Sequence, residues 1–201
     1  MRSFLKSLSS ILYDENINFK IPTNAFVTSR FGITVYAGAK LNPELSHLAL
    51  RAKEDNDLLA RKFLATLVVQ GINKIEDKKR NKYMELFPIP SRPEVNRIRG
   101  IKHVEELVKE VKKVYPVKSY EILKHIRKVK DQSTLTHLQR LENLDGAFAV
   151  IEKKFIPAQG FLIDDLVTSG ATIKAAADAL KESNIELLGV IAACATSFLT
   201  E

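Results

Sequence analysis

"GFLIDDLVTSGATIKAAADAL", residues 160–180, reads as a strand, a turn and a helix in immediate succession. Gly160–Ile163 has the continuous apolar character of a buried strand. Two adjacent carboxylates follow, Asp164 and Asp165, then a turn of small and hydroxyl residues, Thr168-Ser169-Gly170-Ala171-Thr172. An alanine-rich helix is predicted over 173–182, and the apolar run "LLGVIAACA" (187–195) reads as the next strand.

Outward from this unit the alternation continues. "AFVTS" and "ITVYA" are predicted short strands hinged at Arg30-Phe31-Gly32. Residues 42–72 read as two helical pieces, capped by Asn42 with Pro43 at a first helical position. Leu59, Phe63 and Leu67, with Leu64 and Val68 beside them, give an apolar stripe. "YMELFPIP" (83–90), "SYEILKHI" (119–126) and "GAFAVI" (146–151) are strand candidates. Val104, Leu107, Val108, Val111 and Val114 set one face of a helix, with a basic loop ahead of it. Strands separated by helices predict an α/β fold with a mostly parallel central sheet and helices on both faces. Residues 1–40 are expected to form a small N-terminal strand and helix segment, with the main domain over 41–201. The opening "MRSFLKSLSSILYDEN" has no continuous apolar core, so a short helix or ragged terminus is expected rather than a signal peptide.

No apolar run is long enough for a membrane span, and the cytoplasm is the expected location. The single cysteine, Cys194, lies in an apolar run and reads as an inert buried thiol. One cysteine excludes an internal disulfide and a cysteine-based zinc site. The histidines His47, His103, His125 and His137 lack metal-ligand spacing and read as surface or packing residues. A net charge of +7 suits an anionic partner. The cations cluster in the middle third, in "KKRNK" (78–82), "RPEVNRIRGIK" (92–102), "KEVKKV" (109–114) and "KHIRKVK" (124–130).

The turn after the acids suggests what the anion is. Consecutive backbone N–H groups leading into a helix form an anion-binding concavity at the positive end of the helix dipole. Thr168, Ser169 and Thr172 add hydroxyl donors. A second anionic pair beside a phosphate repels it unless aimed elsewhere, and a carboxylate accepts hydrogen bonds from vicinal hydroxyls. A ribose 5-phosphate satisfies both demands. The plain alternative is a capped strand-to-helix turn, which explains Ser169 and Thr172 but not two acids on an apolar strand end.

"FLIDDLVTSGAT" resembles the binding motif of type I phosphoribosyltransferases. The resemblance implies an α/β fold with phosphoribosyl pyrophosphate as ligand, Asp164 and Asp165 on the ribose hydroxyls, and Thr168, Ser169, Gly170, Ala171 and Thr172 around the 5-phosphate. "PIPSRPEVNRIRGIKHVEEL" looks like the proline-arginine segment of ComF-type proteins, and "RKVKDQSTLTHLQRLENLDGAFAV" is similar to their basic loop, through Gln132, Leu135, Arg140, Asn143, Gly146, Ala147 and Phe148. "VYAGAKLNPELSHLALRAKEDND" fits the family's Tyr-x-Gly start and Lys-x-x-x-Asp. The chain departs in lacking a cysteine-rich zinc segment, in the interrupting "PEVN", and in Ile101 where an aromatic is common. No zinc is expected.

On this resemblance Ser91, Arg92, Arg97 and Arg99 are pyrophosphate-binding candidates, the arginines by two-point contacts. Arg127, Lys128 and Lys130 lie on a loop expected to close over the site. Mg²⁺ is implied, held mainly by the ligand with Asp164 or Asp165 directly or through water. A nucleophile would displace pyrophosphate from C1 of the ribose. Two other readings compete. One is a non-catalytic competence protein binding single-stranded DNA or partner proteins; its signature is a steep salt dependence insensitive to Asp164→Asn. The other is a two-carboxylate metal nuclease, for which no further acids stand out. The sequence leaves open a homo-oligomer.

Overall fold

The structure, a computed structural model, describes residues 22, 24–76, 84–130 and 135–197. The expected first helix, the 78–82 cation cluster and Gln132 lie outside these residues. The elements are β1 (Phe26–Arg30), β2 (Ile33–Lys40), α1 (Pro43–Glu54), α2 (Leu58–Ile72), β3 (Met84–Pro88), α3 (Pro93–Arg99), α4 (His103–Lys112), β4 (Val117–Ser119), β5 (Leu123–His125), α5 (His137–Leu144), β6 (Phe148–Val150), β7 (Gln159–Val167), α6 (Ala171–Glu182) and β8 (Glu186–Ala195).

A six-stranded sheet runs in the order β1-β2-β8-β7-β3-β4, parallel except for the antiparallel edge strand β1. β5 and β6 pair apart as a short antiparallel ribbon. β1 and β2, expected as a segment apart, are strands of the main sheet. The α/β alternation therefore stands, with helices on both faces. One face packs on α1, α2 and α4 through Leu48, Phe63, Leu67, Leu107 and Val111. The other packs on α6 and the α5–β6 corner through Ile173, Ala176, Leu180, Leu144 and Phe148. Among the described residues no helix is long and apolar enough to cross a membrane.

Local chemistry accounts for the helix starts. The Asn42 side chain accepts from the Leu45 amide at 2.8 Å, with Pro43 opening α1 as its fixed φ favours. Asp57 caps α2 through the Leu59 and Ala60 amides at 2.8 and 3.0 Å. α2 is buried nearly all round, although Leu59, expected in its apolar stripe, is partly exposed. This helix lies unusually close to the sheet. A Cβ on Gly38 would collide with the Leu67 carbonyl, and one on Gly71 would come within 2.7 Å of the Tyr36 carbonyl. Cys194 sits in the core, where burial pushes its thiol up to about 12, as an inert thiol requires.

Three local expectations change. "SYEILKHI" is not one strand: Ser119 ends β4 and Leu123–His125 forms β5 in a separate sheet, because the chain turns at Tyr120–Ile122, where the Ile122 amide donates to the Tyr120 carbonyl at 2.9 Å. The basic stretch from 93 to 99 is a short helix, opened by Pro93 and closed by Gly100 at φ 69°. The strand bearing the acids continues past them to Val167.

Candidate functional site

β3 and β7 are neighbours, but the chain leaves β3 toward β4 and leaves β7 toward β8, on opposite sides. The loops after them diverge, and such a switch point opens a crevice at the carboxyl ends of the strands. The Ile89 amide donates to the Ile163 carbonyl at 3.1 Å, so the loop carrying Pro90, Ser91 and Arg92 leaves β3 next to the acid-bearing end of β7. His125 Nε2 lies 3.1 Å from the Pro90 carbonyl, which brings the end of β5 to that loop.

Asp164 and Asp165 occupy consecutive positions of β7, and consecutive strand side chains leave on opposite faces. Asp165 continues the row Phe161 and Ile163 toward α4 and is buried. Its Oδ2 is 3.1 Å from Nε2 of His103, which is 1% exposed, and its Oδ1 accepts from the Leu166 amide at 2.8 Å. Asp164 is half-buried, and its Oδ1 accepts from the Asp165 amide at 2.9 Å.

Neighbouring carboxyls resist ionising together. Burial first, and then the charge of Asp165, raise the Asp164 carboxyl well above the ordinary range. Burial alone would also raise Asp165, but the His103 hydrogen bond and the charge of Lys53 outweigh it and hold that carboxyl low. Of the pair, Asp164 is therefore the readier to hold a proton and Asp165 to hold the charge. Their linkages to stability have opposite signs. The raised Asp164 contributes stability that is present below the ordinary carboxyl range and lost as pH rises through its folded value. The depressed Asp165 contributes stability that is present above the ordinary range and lost as pH falls. In thermal melts of the ligand-free protein at pH 7, Asp164→Asn is expected to raise the midpoint and Asp165→Asn to lower it. The reverse order would refute this assignment.

The turn after β7 carries the second half of the site. Thr168 is exposed, Ser169 half-buried, and Gly170 takes the N-cap position of α6 at φ 82°. No side chain caps this helix, and Ser169 Oγ comes only within 3.4 Å of the Ala171 amide. Ser169 thus makes one long hydrogen bond to the first helical amide, in part the cap that the plain turn reading requires. The 12-residue helix thus presents first-turn amides and the positive end of its dipole at the crevice edge.

The basic candidates divide. Arg97 is exposed on α3. Arg99 makes a two-point contact with Glu54 on α1, its Nε 2.8 Å from Oε2 and a terminal nitrogen on Oε1. In the segment expected to close, Arg127 donates to the Asp145 carbonyl, and Lys130 exchanges two backbone hydrogen bonds with the Asn143 side chain at 2.9 and 3.0 Å. Lys128 is exposed. His103 and Arg30 are site residues the sequence reading does not single out, and Lys53 enters it only within the Lys-x-x-x-Asp pattern. No family model matches the chain, and no curated protein matches it.

Proposed function

We propose that the crevice between β3 and β7 binds a phosphorylated ribose, phosphoribosyl pyrophosphate in full, and that the protein is a phosphoribosyltransferase-like protein of the ComF type. The observation that carries this reading is the adjacency of Asp164, half-buried at a switch point, to a helix whose N-cap is Gly170, five residues after Asp165, and carries no capping side chain. The first suits a sugar diol and the second a phosphate.

The division of labour follows from burial. Asp164 faces the sugar hydroxyls. Asp165, spent on His103, orients Asp164 and supplies negative charge behind it. The amides and hydroxyls of Thr168 to Thr172 take the 5-phosphate. Ser91 and Arg92 border the side from which pyrophosphate would leave, with Arg97 exposed on the next helix. Arg99 would have to share its guanidinium with Glu54.

Among the described residues no three His, Cys, Asp or Glu side chains are grouped so that they could hold a metal ion by themselves. The adjacent carboxyls of Asp164 and Asp165 suit an ion that takes few protein ligands, and a bound divalent cation would favour the ionised form of Asp164, so Mg²⁺ fits here with the ligand's oxygens completing its shell. When bound it would neutralise charge on the pyrophosphate. In transfer, the acceptor's lone pair forms a bond to C1 of the ribose as the bond from C1 to the pyrophosphate oxygen breaks, and pyrophosphate takes that electron pair. The carboxylate charge behind the sugar stabilises positive charge developing at C1.

Calorimetric titration of phosphoribosyl pyrophosphate with Mg²⁺ into wild type and into Asp164→Asn/Asp165→Asn tests the reading. Saturable binding to wild type, lost in the double variant, is expected. Equal binding by both proteins, or by neither, would discard it.

A further inference from the structure

We infer that Arg30 is a positioning residue for the anion-binding turn, locking the β1–β2 hairpin and residues 168–170 into one unit; this rests on the phosphate reading above. Arg30 ends β1 and is 5% exposed. Its Nε donates to the Thr168 carbonyl at 2.9 Å. One terminal nitrogen donates to Thr28 Oγ1 at 3.1 Å and to the Ser29 carbonyl at 2.6 Å. The other donates to the Thr196 carbonyl and, at 2.9 Å, to Thr196 Oγ1. All five guanidinium N–H groups thus have acceptors. Thr196 Oγ1 lies 3.2 Å from the Thr168 carbonyl and donates to it, giving that oxygen a second donor.

The arrangement matters because a turn offers its amides to an anion only when its carbonyls face away. A carbonyl oxygen beside a phosphate repels it. Two donors hold the first carbonyl of the turn, and both belong to this one cluster. Thr168 follows β7 and Thr196 follows β8, so a single side chain joins the ends of neighbouring parallel strands to a hairpin far off in sequence. The stem of Arg30 also backs the turn. A Cβ on Gly170 would lie 2.7 Å from Arg30 Cβ and 2.9 Å from its Cγ. Gly170 is required both for its left-handed φ and for this contact. A lysine cannot reproduce a planar fork that spans two carbonyls.

The test is calorimetric titration of ribose 5-phosphate, and separately of pyrophosphate with Mg²⁺, into wild type, Arg30→Ala and Arg30→Lys. Amide hydrogen exchange is followed on the same ligand-free proteins. The probes are the Lys174 amide, bonded to the Gly170 carbonyl, and the Thr196 amide, bonded to the Val167 carbonyl. Arg30→Ala is expected to weaken ribose 5-phosphate about tenfold or more, the scale of one lost charged hydrogen bond. Pyrophosphate affinity stays unchanged, exchange quickens at both amides, and Arg30→Lys falls between. Wild-type affinity for ribose 5-phosphate in Arg30→Ala overturns the inference, and so do equal losses for both ligands. If wild type itself binds no ribose 5-phosphate, the phosphate reading fails, and exchange decides the lock alone: faster at both amides in Arg30→Ala or Arg30→Lys sustains it, unchanged overturns it.

Discussion

His103→Ala is expected to cost about 3 kcal/mol in urea unfolding at pH 7, because it leaves a buried carboxylate without its partner. Asp165 then keeps its bond to the Leu166 amide and the charge of Lys53, while Asp164 beside it is driven toward the neutral form. The pH dependence identifies the cause. Asp165 has a depressed carboxyl, so its stabilisation is full above the ordinary carboxyl range and fades as pH falls. The gap between wild type and His103→Ala must therefore shrink below about pH 4, where an unfolded Asp takes its proton. His103→Gln retains an N–H donor and is expected to recover part of the loss. A gap that is independent of pH would mean that the imidazole serves only as filling.

Gly38→Val is the second large effect, and it acts on the frame rather than the site. The Leu67 backbone of α2 occupies the space that any Cβ on Gly38 would need. The obstacle is main chain, which cannot rotate aside, so α2 must lift from β2. Gly71 meets the same strand from the helix side, within 2.7 Å of the Tyr36 carbonyl for an added Cβ. Overpacking of this kind is expected to cost at least about 3 kcal/mol. Denaturant midpoints check it, and a Gly38→Val protein as stable as wild type would show that α2 packs less tightly than described. The Tyr36-Ala37-Gly38 pattern singled out in the sequence thereby acquires a physical reason.

Most of the frame is legible because its strands are apolar runs between helices with clear faces. The turn from Thr168 to Thr172 is legible for a different reason: only small and hydroxyl residues allow a close backbone approach. α3 is hard to read because none of its residues is buried, leaving only Pro93 and Gly100 to mark its ends. α5 carries a readable sign, the reciprocal capping of Thr136 and Gln139. His103 also has one. It stands four residues before Leu107 and eight before Val111, on the apolar face of α4, and a histidine on such a face calls for a buried partner. Arg30 has no local sign at all, since its acceptors Thr168 and Thr196 are 138 and 166 residues away. Which acid is buried follows from strand phase, and that phase is visible only once β7 is known to run through both.

The most direct measurement compares ribose 5-phosphate with 2-deoxyribose 5-phosphate in wild type and Asp164→Asn. If Asp164 accepts from the sugar hydroxyls, wild type binds ribose 5-phosphate about tenfold more tightly, and Asp164→Asn largely erases the preference. Equal affinity of wild type for the two sugars would contradict the pairing of diol and carboxylate on which the account stands.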